Sequence, residues 1–177
     1  MTEADTYREA LAARLFSEHA RSLVRLAVLL VGERPVAEEL VQEAFLRFLR
    51  ADGPRDPAAG YAYLRTSVVN LTRSRWRRKL LELRHLKTVS EAVEGPDAAG
   101  HLDLMRALAR LPQRRRACVV LRYYADLSVE ETAQVLGISA GTVKSQTHKA
   151  LAQLHEQLQA PYWSVDRAAG EGGMSNG

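Results

Sequence analysis

The sequence predicts an all-α protein of two small helical domains joined by a flexible linker, on three observations. Apolar residues recur at three- and four-residue steps through most of the 177-residue chain, which is the period of amphipathic helices. No alternating apolar and polar stretch of the kind a half-buried strand needs interrupts them. Between Thr88 and Gly100 the sequence turns acidic and small, with neither periodicity nor core residues, as an interdomain linker does. The expected boundaries are 1–87 for the first domain, 88–101 for the linker, 102–160 for the second domain and 161–177 for a disordered tail.

In the first domain, Leu11, Leu15, Phe16, Leu23, Leu26, Ala27 and Leu30 fall on one helical face, and Gly32 ends that helix. Pro35 is placed to start the next, because a proline in the first turn loses no helical hydrogen bond. That helix puts Leu40, Val41, Ala44, Phe45, Phe48 and Leu49 on one side and stops at Gly53-Pro54 and Asp56-Pro57. A third helix runs from near Ala58 to about Leu86, with Tyr61, Leu64, Val68 and Leu71 facing inward. Leu102, Met105 and Leu108 open the second domain, Pro112 begins a new helix, and the pattern continues to Leu158. There is no internal repeat.

Composition is that of a globular protein, 46% hydrophobic and 26% charged. The longest apolar run, Leu26 to Val31, is far short of the roughly 20 residues a membrane span needs. Acidic residues stand near the N-terminus where a signal peptide carries a basic segment, so a cytoplasmic protein with no membrane insertion is expected. The single cysteine, Cys118, has no partner for an internal disulfide and sits in a helical apolar pattern, where a buried thiol is expected. The net charge of +4 is unevenly spread. Residues 61–87 hold eight basic side chains and one acidic, net +7, whereas residues 1–60 and 88–111 each come to −2.

The sharpest local motif lies at residues 126–154. Ser128-Val129-Glu130-Glu131 reads as a capping box, in which the serine hydroxyl takes the third amide of the helix and the glutamate reaches back to the serine amide. A short helix with Thr132, Ala133 and Leu136 inside follows, Gly137 supplies a turn, Ile138 fills the corner, and Ser139 caps a second helix. On that helix Val143, Ala150, Leu151 and Leu154 share the inner face, while Gly141, Lys144, Ser145, His148 and Lys149 share the outer one. This is a helix-turn-helix whose second helix suits the major groove: lysine meets guanine acceptors or phosphates, and serine meets either. On an isolated helix Lys144 and Lys149 would be ordinary solvated charges, but the whole cap-helix-glycine-cap-helix series favours DNA binding.

Two further features allow bland readings. Arg73, Arg75, Arg77, Arg78 and Lys79 surround Trp76, with Tyr61, Tyr63 and Asn70 upstream. Cations for phosphates beside aromatics for unpaired bases suit single-stranded DNA, while a solvated basic face with Trp76 packed on a neighbouring helix fits equally well. Glu38, Glu39 and Glu43 decorate the second helix, where acids near an N-terminus ordinarily just favour the helix dipole.

Taken together, these segments resemble the extracytoplasmic-function (ECF) sigma factors of bacterial RNA polymerase, group 4 of the sigma-70 family. Ala37-Glu38-Glu39-Leu40-Val41-Gln42-Glu43-Ala44-Phe45 is similar to region 2.2, and Tyr63-Leu64-Arg65-Thr66-Ser67-Val68-Val69-Asn70 with the arginine run to regions 2.3 and 2.4. The stretch from Leu111-Pro112 through Leu127-Ser128 resembles region 4.1, and Glu130-Glu131-Thr132-Ala133 to Gly141-Thr142-Val143-Lys144-Ser145 resembles region 4.2. The resemblance implies that Glu38, Glu39, Leu40, Gln42, Glu43 and Phe45 contact core polymerase, at the β′ clamp helices, with the β subunit also a partner. It implies that Tyr61, Tyr63, Asn70, Arg73, Trp76 and Arg77 lie near melted minus-10 DNA, with the loop Ala51 to Pro57 helping to form a pocket for a flipped base. Gly141, Thr142, Lys144, Ser145, His148 and Lys149 would then meet the minus-35 element of promoter DNA. An anti-sigma factor is an implied regulator, and the free protein is expected to be a monomer. Two features depart from the family pattern: Phe48 and Leu49 stand where a tryptophan is often found, and the pocket loop is rich in proline.

Nothing in the sequence points to an enzyme, a cofactor or a metal. There is no glycine-rich phosphate loop and no activated nucleophile, and His148 and His155, two turns apart, have no evident third ligand. Two rivals remain at this stage. An activator of the response-regulator type would need a strand-bearing receiver domain, which the helical N-terminal half does not offer. The other is a helical adaptor that binds only protein.

Overall fold

The computed structural model describes the backbone of residues 3–51, 54, 56–85 and 99–168, with side chains over 6–51, 54, 56–78 and 103–158. Among the described residues there are seven helices and no strand: α1 (Glu3–Val31), α2 (Arg34–Arg50), α3 (Pro57–His85), α4 (Ala99–Arg110), α5 (Gln113–Tyr123), α6 (Val129–Leu136) and α7 (Ala140–Ala168). Helices α1 to α3 form one bundle and α4 to α7 a second. The flexible linker expected over 88–101 falls mostly outside the described residues; its last three residues, 99–101, already belong to α4. The tail expected to be irregular from 161 is helical as far as Ala168, and residues 169–177 lie outside the described part. Pro161 removes one backbone hydrogen bond, a loss that kinks a helix without having to end it.

The breakers act where the sequence puts them. Gly32 closes α1 with its amide on the Val28 carbonyl at 2.7 Å. Asp56 starts α3: its Oδ2 accepts the Ala59 amide at 2.9 Å and its carbonyl accepts the Gly60 amide at 2.8 Å, with Pro57 in the first turn. Phe48, Leu15, Leu23, Leu64 and Val68 are fully buried at the centre of the first bundle. At Gly60 a β-carbon would stand 2.8 Å from Leu15 Cδ1, and the fully buried leucine has no free space to yield, so the absence of a side chain is what lets α3 sit this close to α1.

Three side chains expected inside are exposed. Phe16 is 53% accessible and meets only the edge of Phe45, with ring centroids 5.3 Å apart. Leu49 is 37% accessible, and Leu151 on α7 is 39% accessible. On α7 the inner stripe is instead Val143, Thr147, Ala150 and Leu154, at steps of four, three and four. Leu151 carries one residue's rotation beyond that stripe. The hydroxyl of Thr147 had concealed its membership of the core.

The second core is not confined to the second bundle. Leu26 and Leu30 of α1 and Val69 of α3 are buried in one cluster with Leu108, Leu111, Cys118, Val120, Leu121, Leu127 and Leu136. The two bundles are therefore joined through an apolar interface. Cys118 is buried within it, and burial pushes its thiol up to about 11.

The helix-turn-helix is built as its sequence indicates. Ser128 Oγ accepts the Glu131 amide at 3.0 Å and Glu131 Oε2 accepts the Ser128 amide at 2.7 Å, completing the capping box. Gly137 takes the left-handed conformation, φ 61° and ψ 42°, and the Ile138 amide returns to the Ala133 carbonyl at 3.1 Å. Ser139 Oγ then accepts the Thr142 amide at 3.1 Å to start α7. The preceding turn is fixed by the Arg122 guanidinium donating to the Leu127 carbonyl.

The cap has a pH signature. The hydrogen bond from the Ser128 amide, followed by that from its side chain, holds the Glu131 carboxyl below the usual glutamate range. A depressed carboxyl contributes stability above its unfolded pKa and loses it as pH falls through the folded value. Glu131→Ala, which removes the carboxylate and leaves the backbone amides in place, is therefore expected to lower unfolding stability at pH 7. The deficit should shrink in acid as Glu131 protonates. Denaturant titrations at several pH values measure it, and a deficit that is independent of pH contradicts the reciprocal box.

Candidate nucleic-acid interface

The outer face of α7 is free. Gly141, Lys144, Ser145, His148 and Lys149 are exposed, the last four standing three, four, seven and eight residues after the first, and lie opposite the buried Val143, Thr147, Ala150 and Leu154. Thr142 differs from the others: its hydroxyl is bonded to Ser139 Oγ at 2.8 Å, so it serves the cap. Arg115 of α5 donates to Gln153 at 2.9 Å and ties α7 to the rest of its bundle. The result is a rigid helix with a basic, hydrogen-bonding face turned to solvent.

Helix α3 divides the residues expected near melted DNA between two faces. Tyr63, Asn70 and Arg77 stand at seven-residue intervals and so share one face, on which Asn70 and Arg77 are exposed. Tyr63 leans on the Phe48 ring, centroids 5.8 Å apart. The other face carries Arg65, Val69, Arg73 and Trp76 and looks toward the second bundle. Val69 is in the shared core, and the Trp76 ring is covered by the Arg116 guanidinium of α5, 5.8 Å from its centroid. Tyr61 is held between His19, ring centroids 4.3 Å apart, and Arg65, whose guanidinium lies 5.7 Å from its ring.

Between the bundles a cleft of about 210 Å³ is lined by Arg73, Arg77, Gln113, Arg114, Leu136 and Ile138, among others. Partial burial, with repulsion from Arg77 and Arg114, makes Arg73 a weaker base than a free arginine. A strip of cationic charge with an aromatic beside it is suited to phosphates and unpaired bases.

On α2, Glu39 and Gln42 are exposed, and Glu38 and Glu43 are half-buried. Glu38 accepts from Arg34 at 2.9 Å and Glu43 from Arg47 at 2.8 Å, pairs along the helix surface. Leu40 and Phe45 belong to the core at 7% exposure each and present almost nothing to a partner. Sequence reasoning missed two exposed apolar side chains: Leu46, 45% accessible, and Leu49 follow Glu39 and Gln42 at helical spacing on the outer face. The signal was available, since 39, 42, 46 and 49 is itself an amphipathic repeat. It was hidden because a leucine is by default assigned to the core. Among the described residues no group of three or more His, Cys, Asp or Glu side chains is arranged to hold a metal, and no helix is long and apolar enough to cross a membrane.

The family description "Sigma-70 region 2" matches residues 15–80, which hold α2 and most of α3, and "Sigma-70, region 4" matches residues 101–154, which hold the helix-turn-helix. The chain is 39% identical over 153 residues to the RNA polymerase sigma-E factor of Streptomyces avermitilis, spanning 82% of this chain and 86% of that protein. It is 35% identical over 150 residues to the ECF RNA polymerase sigma factor SigM of Mycobacterium tuberculosis, spanning 82% and 76%. Among solved structures its fold is similar to that of the sigma factor RpoE in complex with the anti-sigma factor NepR from Bartonella quintana, with a TM-score of 0.68 at 23% identity over 83% of this chain and 96% of that one. Two sigma regions matched in order, with relatives covered along most of their length, give the assignment: the chain belongs to the ECF group of the sigma-70 family and is a non-enzymatic factor that directs RNA polymerase to promoters in transcription initiation.

Proposed function

We propose that three faces of this sigma factor divide the work of initiation. The outer face of α2, Glu39, Gln42, Leu46 and Leu49 with Glu38 and Glu43 at its edge, docks on the β′ clamp helices of core polymerase. The α3 residues Tyr63, Asn70 and Arg77, joined by Tyr61, Arg73 and Trp76, hold the melted minus-10 strand. Gly141, Lys144, Ser145, His148 and Lys149 of α7 read the minus-35 duplex. The observation that carries the reading is the α7 face, where every side chain assigned to base or phosphate contact is exposed and the capped turn holds the helix rigidly on its bundle.

On α2, acids flank two exposed leucines, a pattern suited to a partner surface with a basic rim and an apolar centre. The docking role passes in part from Leu40 and Phe45, which support the helix from inside, to Leu46 and Leu49. The reading places the protein in the cytoplasm with its polymerase. It also extends to an anti-sigma protein that would silence the chain by covering the same faces; recovery of such a protein with the chain from cells tests that extension, and a chain that is free and constitutively active contradicts it.

Two substitutions test the division. Lys144→Ala is expected to weaken binding to a minus-35 duplex by about 1 to 3 kcal/mol and to relax specificity at one base pair if the lysine reads a base. Fluorescence anisotropy over a set of single-base variants measures this, and unchanged affinity and selectivity contradict the assignment. Leu46→Ala, at an exposed site, should leave folding intact while weakening association with core polymerase by about 1 to 2 kcal/mol. Undiminished binding to core polymerase contradicts docking through this stripe.

A further inference from the structure

Among the described residues Arg116 is the one charged side chain that is buried. It is 3% exposed, no carboxylate of a described residue lies within ion-pair distance, and its Nε has no hydrogen-bond partner. Its charge is held by dipoles and a ring. One terminal nitrogen donates to the Leu30 carbonyl at 3.1 Å, the other donates to the Ala109 carbonyl of its own bundle, and the guanidinium faces Trp76. Leu30 sits in the last turn of α1, where carbonyls without a helical partner carry the negative end of the helix dipole and attract a cation. Two of the three contacts therefore reach the other bundle.

We infer that Arg116 is an intramolecular latch: by gripping Trp76 and the C-terminal end of α1, it holds the second domain over the strand-binding side of α3 and leaves the minus-35 face of α7 open. The inference rests on the strand-binding reading of α3 given above.

The surface that the latch closes is the stripe Arg65, Val69, Arg73 and Trp76, at steps of four, four and three. Beneath it, Leu26, Leu30 and Val69 find their apolar neighbours in α4 to α7. The surfaces left open are Asn70 on α3 and Lys144, Ser145, His148 and Lys149 on α7, with Arg77 at the edge of the cleft. In this state the chain can read the upstream duplex, but the face of Trp76 that Arg116 covers is withheld from an unpaired base.

The chemistry of the contact makes it reversible. A buried guanidinium without a counter-ion has given up its hydration for carbonyls and a ring, and burial makes it a weaker base. On opening, Arg116 recovers water while Leu26, Leu30 and Val69 lose their apolar cover, so the two states differ by opposing terms. Charge across the interface does little to hold it shut. Arg73 and Arg77 face Arg114 in the cleft, and Arg65 and Glu131, which attract one another from opposite sides, form no ion pair within 4.0 Å. Closure should therefore resist salt, unlike a clamp made of surface ion pairs.

The test uses the full chain with Cys118 kept, since that buried thiol with its raised pKa is out of reach of the label, and with spin labels at Ser17→Cys and Glu156→Cys, both exposed sites on different bundles. Pulsed dipolar spectroscopy of this otherwise unaltered protein is expected to give one narrow distance distribution, unchanged in roughly 1 M salt, where screening reaches only a few ångströms. A broad distribution overturns the latch without appeal to any further variant. Adding Arg116→Met should broaden it while helical circular dichroism and minus-35 binding persist. Trp76→Leu, made in the other bundle, should broaden it too, and it answers the question if Arg116→Met does not fold. A distribution that stays narrow in a folded variant overturns the role of the Arg116–Trp76 contact.

A single-stranded minus-10 oligonucleotide separates this inference from the reading beneath it. If the closed form dominates, opening raises apparent affinity by the inverse of the open fraction, so the unlabelled Arg116→Met chain should bind roughly tenfold more tightly than wild type. Equal binding together with a broadened distance supports the latch and rejects strand contact by Trp76.

Discussion

The structure depends on α1 satisfying two apolar environments at once. Leu15, Leu23 and Ala27 pack into the bundle made with α2 and α3, whereas Leu26 and Leu30 pack against α4 and α5. A helix buried on one side needs an apolar stripe of about 100°. The pairs Leu23 with Ala27 and Leu26 with Leu30 make a wider band, and its far edge would face water if the second domain were absent. The same helix end supplies the Leu30 carbonyl that receives Arg116. Burial in α1 thus decides where the second domain sits, which in turn decides which parts of α3 are reachable.

Rigid and exchangeable parts are segregated accordingly. The helix-turn-helix is fixed locally, by the Ser128 and Glu131 box, the left-handed Gly137, and the Ser139 cap, none of which needs the other domain. A reading head fixed in this way can keep its shape whether the domains are apart or together. The α3 residues are different, since Val69 and Trp76 draw part of their cover from the other domain. Promoter opening is a task in which contacts with duplex and with melted strand are made in succession, and this division suits it.

Much of this was legible in the chain. Gly32, Asp56-Pro57, the capping box and Gly137 marked helix ends because each acts through local chemistry, and the family resemblance rested on motifs that carry such chemistry. Faces were less legible than ends. Periodicity identified the apolar side of α7 but chose Leu151 over Thr147, because a threonine hydroxyl looks polar in sequence whether or not its methyl is buried. On α2 it put Leu40 and Phe45 correctly on the inner face and Leu49 wrongly beside them, while the family resemblance placed Leu40 and Phe45 among the contact residues. The docking of one bundle on the other left no local trace at all. Arg116 read as one of three consecutive arginines, and only the fold distinguishes it from Arg114 and Arg115.

The central claim is that one chain joins polymerase docking, upstream recognition and promoter opening. Permanganate reactivity of thymines tests it most directly, on a promoter selected with this chain and sigma-free core polymerase. The account predicts reactive thymines in the minus-10 segment only when chain and core polymerase are both present, with transcripts starting just downstream. A chain that associates with core polymerase and DNA yet leaves the duplex closed at every selected sequence would contradict it.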